Sequence, residues 1–190
     1  MQKTLKNLAA AFAGESQARN RYTMYAKVAK NEGFEQIASI FMETAEQERA
    51  HAKVLFTLIQ TLKQNDEAIK LEAEVPTVYG TTAENLAASI SGEHHENSVM
   101  YPDFAKEAEE ENLPLIAAKF RMIGKAEEHH EARYNNLLEV VKSGKVFGKD
   151  EDTFWVCREC GYVHFGKQAP TKCPVCEHPQ AFYQVQSENY

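Results

Sequence analysis

Residues 45–55, Ala-Glu-Gln-Glu-Arg-Ala-His-Ala-Lys-Val-Leu, place Glu48 three positions before His51, and residues 124–134, Gly-Lys-Ala-Glu-Glu-His-His-Glu-Ala-Arg-Tyr, place Glu127 three before His130. Positions i and i+3 share a helix face, so each Glu-x-x-His can offer a carboxylate and an imidazole to one cation. The second motif lies 79 residues beyond the first, and its surroundings repeat at the same offset. Tyr22, Ala26, Lys27 and Ala29 match Tyr101, Ala105, Lys106 and Ala108; Glu32, Ile37, Ala38 and Phe41 match Glu111, Ile116, Ala117 and Phe120. Repetition on this scale predicts two copies of one helical hairpin.

Residues 3–143 hold only five glycines and three prolines and are rich in Ala, Glu, Lys, Leu and Gln, all good helix formers. Apolar residues recur at helical spacing, as in Ile37, Ile40, Phe41 and Ala45. Helices are expected near 4–31, 34–63, 81–111 and 114–142, with Gly33 turning the first hairpin and Asn112 with Pro114 the second. Residues 64–80 are too long for a tight turn; extended, they reach about 56–61 Å, enough to run the length of a bundle. The fold class is therefore an all-α four-helix bundle over residues 1–143, with a long crossover between helices 2 and 3. Beyond Gly144 the helical period ends; residues 144–153 read as a solvated linker and 154–190 as a small separate unit.

Each first helix of a hairpin carries a glutamate after a glycine, Gly14-Glu15 and Gly92-Glu93, and the second copy adds Glu96. In an antiparallel hairpin, residues equidistant from the turn face each other. Glu15 and Glu48 centre beside Gly33, and Glu93 or Glu96 with Glu127 centre beside Asn112, so all four helices bring acids to one level ~24 Å from their turns. Buried together, five carboxylates and two imidazoles would each cost several kcal/mol without cations. A Glu from each of two helices plus Glu-x-x-His from the other two is the donor set of a di-iron or di-manganese carboxylate site. The candidate ligands are Glu15, Glu48, His51, Glu93, Glu96, Glu127 and His130; any one acid alone reads as a surface group, the set does not.

Tyr22 and Tyr101 lie on the ligand face and read first as core, second as hydrogen-bond donors to a ligand or a bound oxidant. His94, His95 and His129 point off that face and read as surface or outer-sphere groups. Phe12, Phe41, Phe56, Phe104 and Phe120 read as packing that keeps the cavity dry. Glu15 precedes Tyr22 by seven residues but Glu93 precedes Tyr101 by eight, which predicts a π-bulge in the third helix.

All four cysteines fall near the end, in the knuckles Cys157-Arg158-Glu159-Cys160 and Cys173-Pro174-Val175-Cys176. Two Cys-x-x-Cys knuckles make a tetrahedral sulfur cage for zinc or a single iron: a structural ribbon in the first case, a one-electron relay in the second. Trp155, Tyr162, Phe165 and Phe182 are expected to pack around a core that the metal must staple. A formal net charge of −7 speaks against nucleic acid. No window is apolar enough to span a membrane and no signal peptide opens the chain, so a cytoplasmic location is expected. Nothing resembles a Gly-x-Gly-x-x-Gly nicotinamide loop.

With Ala13-Gly14-Glu15-Ser16-Gln17-Ala18-Arg19-Asn20-Arg21-Tyr22, Glu48-Arg49-Ala50-His51, Gly92-Glu93-His94-His95-Glu96, Glu127-Glu128-His129-His130 and the paired knuckles in place, the chain resembles the rubrerythrins over nearly its whole length. The resemblance implies a ferritin-like bundle followed by a rubredoxin-like domain, an oxo- and carboxylate-bridged pair of iron ions, and one iron among the cysteines, for which zinc can substitute. It implies a peroxidase that reduces hydrogen peroxide to water in oxidative-stress defence, fed by an NAD(P)H-dependent reductase or a rubredoxin. In that reading Glu48 and Glu127 bridge the irons, Glu15 holds one, Glu93 and His130 hold the other, and Glu96 gives way to His51 on reduction. A head-to-tail homodimer is implied as well. The alternatives are a ferroxidase or iron-handling protein of the ferritin type, a zinc-ribbon adaptor on an inert bundle, and, more remotely, manganese catalase chemistry.

Overall fold

The computed structural model of the chain describes residues 2–187. Four long helices form the bundle: α1 (Gln2–Asn31), α2 (Glu35–Leu62), a third built from α3 (Thr82–His95), one π-helical turn (Glu96–Met100) and α4 (Tyr101–Glu110), and finally α5 (Pro114–Lys142). The extra residue of the second copy is thus absorbed as the spacing required, between Glu93 and Tyr101.

Both hairpins turn on the same hydrogen bonds. Gly33 (φ 84°) and Asn112 (φ 61°) sit in the left-handed region at equivalent positions. Phe34 N–H donates to the Ala29 carbonyl (2.8 Å) and Leu113 N–H to that of Ala108 (2.9 Å), while Gly33 and Asn112 donate to Lys30 and Glu109. This is a Schellman closure in each copy. A Cβ at Gly33 would meet only Ala181 Cβ, at an ordinary 3.7 Å, so its cost is that of the backbone. Gly33→Ala is expected to lower stability by about 1–2 kcal/mol, and Asn112→Gly to be neutral or slightly stabilising. Denaturant midpoints of the two variants check this.

The crossover, residues 63–81, carries the chain from one end of the bundle to the other. Ile69 packs at the end where α1 begins and α2 finishes, the Tyr25 hydroxyl donates to the Val78 carbonyl (2.7 Å), and Glu32 accepts from the Thr82 N–H (3.0 Å) at the far end. Two apolar clusters fill the interior. One gathers Leu8, Leu55, Ile59, Tyr101 and Phe120; the other gathers Tyr22, Tyr25, Ile37, Phe41, Leu86 and Tyr134. Between them lie the buried Glu15, Glu48, Glu93, Glu127 and His130. Phe56, expected as core, packs on Phe12 (ring centroids 5.2 Å) but remains 49% exposed on the outer face.

The C-terminal unit is a three-stranded antiparallel sheet, ordered β2-β1-β3, of β1 (Gly148–Cys157), β2 (Val163–Gln168) and β3 (Tyr183–Val185). β1 takes in most of the residues expected as linker. Lys149 to Asp152 are poor strand formers, but pairing of Gly148 with Gln168 extends the sheet past them. Phe147, at the head of the strand, stacks on Phe34 of the bundle (6.2 Å). Trp155, Tyr183, Cys157 and Cys173 form the small core, with Tyr162 and Phe182 against it. Phe165 is not part of it: strand alternation pairs it with Phe154 (4.8 Å) on the exposed side of the sheet. Among the described residues, no helix is long and apolar enough to cross a membrane.

Candidate metal centres

Two half-sites share a pair of carboxylates. Glu48 turns Oε2 to His51 Nδ1 (3.0 Å) and Oε1 to His130 Nδ1 (3.1 Å). Glu127 does the same, Oε1 to His51 Nδ1 (3.0 Å) and Oε2 to His130 Nδ1 (2.8 Å). Glu15 Oε2 completes the His51 side and Glu93 Oε2 the His130 side, each 3.5 Å from its imidazole nitrogen. In either half the four donor atoms lie within 4.8 Å of one another.

The outer glutamates are fixed crosswise. The Tyr22 hydroxyl of α1 donates to Glu93 Oε1 of α3 (2.5 Å), and the Tyr101 hydroxyl of α4 donates to Glu15 Oε1 of α1. Burial, and then the neighbouring Glu93 or Glu15, pushes both phenols well above their ordinary range, so each stays a donor. Both tyrosines are therefore core and ligand supports at once. Gly124 lets Tyr101 approach: a Cβ there would lie 3.2 Å from that of Tyr101.

Cations fit this cage, and little else does. Glu15 Oε2, Glu48 Oε1, Glu93 Oε2, both oxygens of Glu127 and His130 Nδ1 are buried without a hydrogen-bond partner in the protein. These are the atoms that face inward. With protons alone the cluster balances only by large adjustments. Burial pushes Glu15 well up and Glu93 to about 7. Burial would also raise Glu48, but His130 and His51 outweigh it and bring it to about 2. Burial would lower His130, yet Glu127, Glu48 and Glu93 drive it to about 11, and the carboxylates hold His51 higher still. The site demands positive charge at both imidazole nitrogens, which divalent ions supply more completely than protons.

Glu96, expected among the ligands, lies outside both groups. It begins the π-turn, with Oε1 near Gly14, and lines a 510 Å³ pocket between the bundle and the crossover. In this structure His51 stands in the half-site that contains Glu15. Burial, followed by the charges of Glu93, Glu127 and Glu48, pushes the Glu96 carboxyl well up. His94, His95 and His129 are exposed, as their helical phase required.

Sequence reading missed the groups behind the imidazoles. Gln47 Oε1 lies 3.0 Å from His130 Nε2 and also accepts from Arg133 Nη2 (3.3 Å), which in turn donates to Thr44 Oγ1 (2.5 Å). Glu131 accepts from Asn97 (2.6 Å) and meets His94 Nδ1 (3.1 Å), tying the π-turn to α5. The signal was available in both cases as positions where the two copies of the repeat differ.

The cysteines form a second centre. Sγ separations of 3.7 Å for Cys157–Cys176 and 3.6 Å for Cys160–Cys173 are far too long for disulfides. They match the edge of a tetrahedron with ~2.3 Å metal–sulfur bonds, about 3.8 Å. The knuckles are superposable in their hydrogen bonds: Gly161 N–H donates to the Cys157 carbonyl (2.9 Å) and Glu177 N–H to that of Cys173 (3.0 Å), with positive φ at both Gly161 and Glu177.

Comparison with known proteins agrees with this geometry. The family model described as Rubrerythrin matches residues 6–138, and that described as Rubrerythrin, rubredoxin-like domain matches residues 155–184. The chain is similar to a putative rubrerythrin of Methanocaldococcus jannaschii, at 57% identity over all of this chain and 96% of that protein. It is similar to the rubrerythrin of Nitratidesulfovibrio vulgaris, at 46% identity over 99% of this chain and 96% of that one. Among solved structures, fully reduced, all-ferrous nigerythrin superposes with a TM-score of 0.65 at 34% identity, covering 96% of this chain and 86% of the other. The bundle thus carries a di-iron carboxylate–histidine site and the sheet a four-cysteine rubredoxin-like site. Matches of this breadth, with both family models found in one chain, mean that this protein belongs to the rubrerythrin family.

Proposed function

We propose that this protein is a peroxidase: hydrogen peroxide takes up two electrons and two protons at the bundle site and leaves as two waters, and Cys157, Cys160, Cys173 and Cys176 would hold an iron able to supply the electrons one at a time. The observation that carries this reading is the pair Glu48 and Glu127, each with one oxygen toward either half-site. When bound, two ferrous ions held side by side supply both electrons together with Lewis acidity toward the peroxide oxygens.

The chain's own residues then have assignable roles. Glu48 and Glu127 would be shared by the two ions, Glu15 would serve one and Glu93 with His130 the other, and His51 or Glu96 would take the remaining position. Tyr22 and Tyr101 hold the terminal carboxylates in place, and Glu96, whose carboxyl burial pushes well up, stands beside the site as a proton carrier when it is not holding an ion. The apolar clusters above and below exclude water. An NAD(P)H-dependent reductase or a rubredoxin is the electron source, in a cytoplasmic, head-to-tail homodimer that brings one subunit's cysteine iron toward the other's bundle.

The test is steady-state turnover of the iron-loaded protein with a reductase, NADH and peroxide. Peroxide consumption equimolar with NADH oxidation is expected. Mineralisation of added ferrous iron in assemblies far larger than a dimer, without peroxide turnover, would instead establish the ferroxidase reading.

A further inference from the structure

The two half-sites are alike in their inward-facing atoms and unlike behind the imidazoles. Gln47 Oε1 faces both His130 Nε2 (3.0 Å) and Arg133 Nη2 (3.3 Å). A guanidinium can only donate, so the amide oxygen, not its NH₂, must point that way. The imidazole must then donate from Nε2, so with an ion bound the Nδ1 lone pair is the one offered to it. Arg133 is braced by Thr44 Oγ1 (2.5 Å) and Glu43 Oε1 (2.9 Å). Four side chains from two helices thus fix one tautomer and one ring orientation.

At the offset of 79 residues, the counterparts of Glu43, Thr44, Gln47 and Arg133 are Met122, Ile123, Ala126 and Val54. Every polar group of the brace has an apolar counterpart. Among the described residues, nothing is hydrogen-bonded to His51 Nε2, and the His51 side chain is 17% exposed against 3% for His130. His51 is held only through its Nδ1.

We propose that Gln47, carried by Arg133, is the positioning residue that makes His130 the fixed imidazole of the pair, and that Ala126, by lacking an acceptor at the equivalent place, leaves His51 Nε2 free of a partner that would fix its ring. Gln47 touches no metal and acts only through the ring. An outer-sphere partner of this kind is worth about 10–100-fold in metal affinity. This inference rests on the metal centre alone and is independent of peroxide chemistry.

Zinc is diamagnetic, so the test uses the zinc-loaded full-length protein with ¹⁵N-labelled histidine. Wild type should show a protected Nε2–H resonance for His130 and a fast-exchanging one for His51. Gln47→Ala should remove that protection and weaken zinc binding about 10–100-fold at one of the two bundle sites. Gln47→Glu, which keeps an acceptor for both the ring and Arg133, should restore both. Ala126→Gln should create a second protected Nε2–H, on His51. Persistence of the His130 signal in Gln47→Ala, or failure of Gln47→Glu to restore it, overturns the assignment of Gln47. Absence of a new signal in a folded, zinc-loaded Ala126→Gln overturns the account of why His51 is free.

Discussion

Glu127→Ala is expected to empty the bundle of both metal ions at once, leaving the cysteine centre loaded. Either oxygen of Glu127 faces a different half-site, and among the described residues only Glu48 is shared in the same way. A terminal ligand such as Glu15 serves one half only. The effect on stability separates a lost ligand from a broken fold. In metal-free protein Glu127 is the foremost carboxylate partner of both imidazoles, so metal-free Glu127→Ala should be less stable than metal-free wild type, and the response to added ion is what separates the two effects. Wild type should gain about 4 kcal/mol for each ion present at a thousandfold above its dissociation constant, and Glu127→Ala should gain none of it in the bundle. Metal analysis, with unfolding in the presence and absence of added ion, reads both. Retention of two bundle ions would refute the bridging role.

Cys160→Ala is expected to abolish turnover with an external reductase while leaving a single reduction of peroxide by pre-reduced protein. Cys160 is the exposed member of the cage, whereas Cys157 and Cys173 are part of the small core, so its loss removes a ligand and little packing. Losing an outer-sphere partner already costs about 10–100-fold in metal affinity, and losing a thiolate costs more. The bundle has its own two apolar clusters, and its metal content and helicity should not change. Turnover should therefore drop by at least about a hundredfold, with the first turnover intact. Simultaneous loss of both would mean that the cysteine centre takes part in the chemistry and is not only a relay.

Most of this was legible in the sequence because the physics is periodic. The repeat set two hairpins, equal distances from Gly33 and Asn112 brought the acids to one level, and one surplus residue between Glu93 and Tyr101 foretold the π-turn. The misses have physical causes as well. Strand pairing draws in Lys149 to Asp152 against their own propensities, and alternation puts Phe165 outside the small core while admitting Tyr183. Gln47 and Arg133 escaped because they are ordinary helix-surface residues until the partner helix is present. Only the broken symmetry with Ala126 and Val54 marks them.

The central claim is that a two-electron pair in the bundle works with a one-electron centre in the sheet. Anaerobic titration of the fully ferrous protein with hydrogen peroxide, followed by the visible absorption of both centres, tests it most directly. Three ferrous ions hold three electrons and each peroxide takes two, so the account predicts complete oxidation at about one and a half equivalents per chain. An end point at half an equivalent, with only the cysteine iron oxidised, would contradict it.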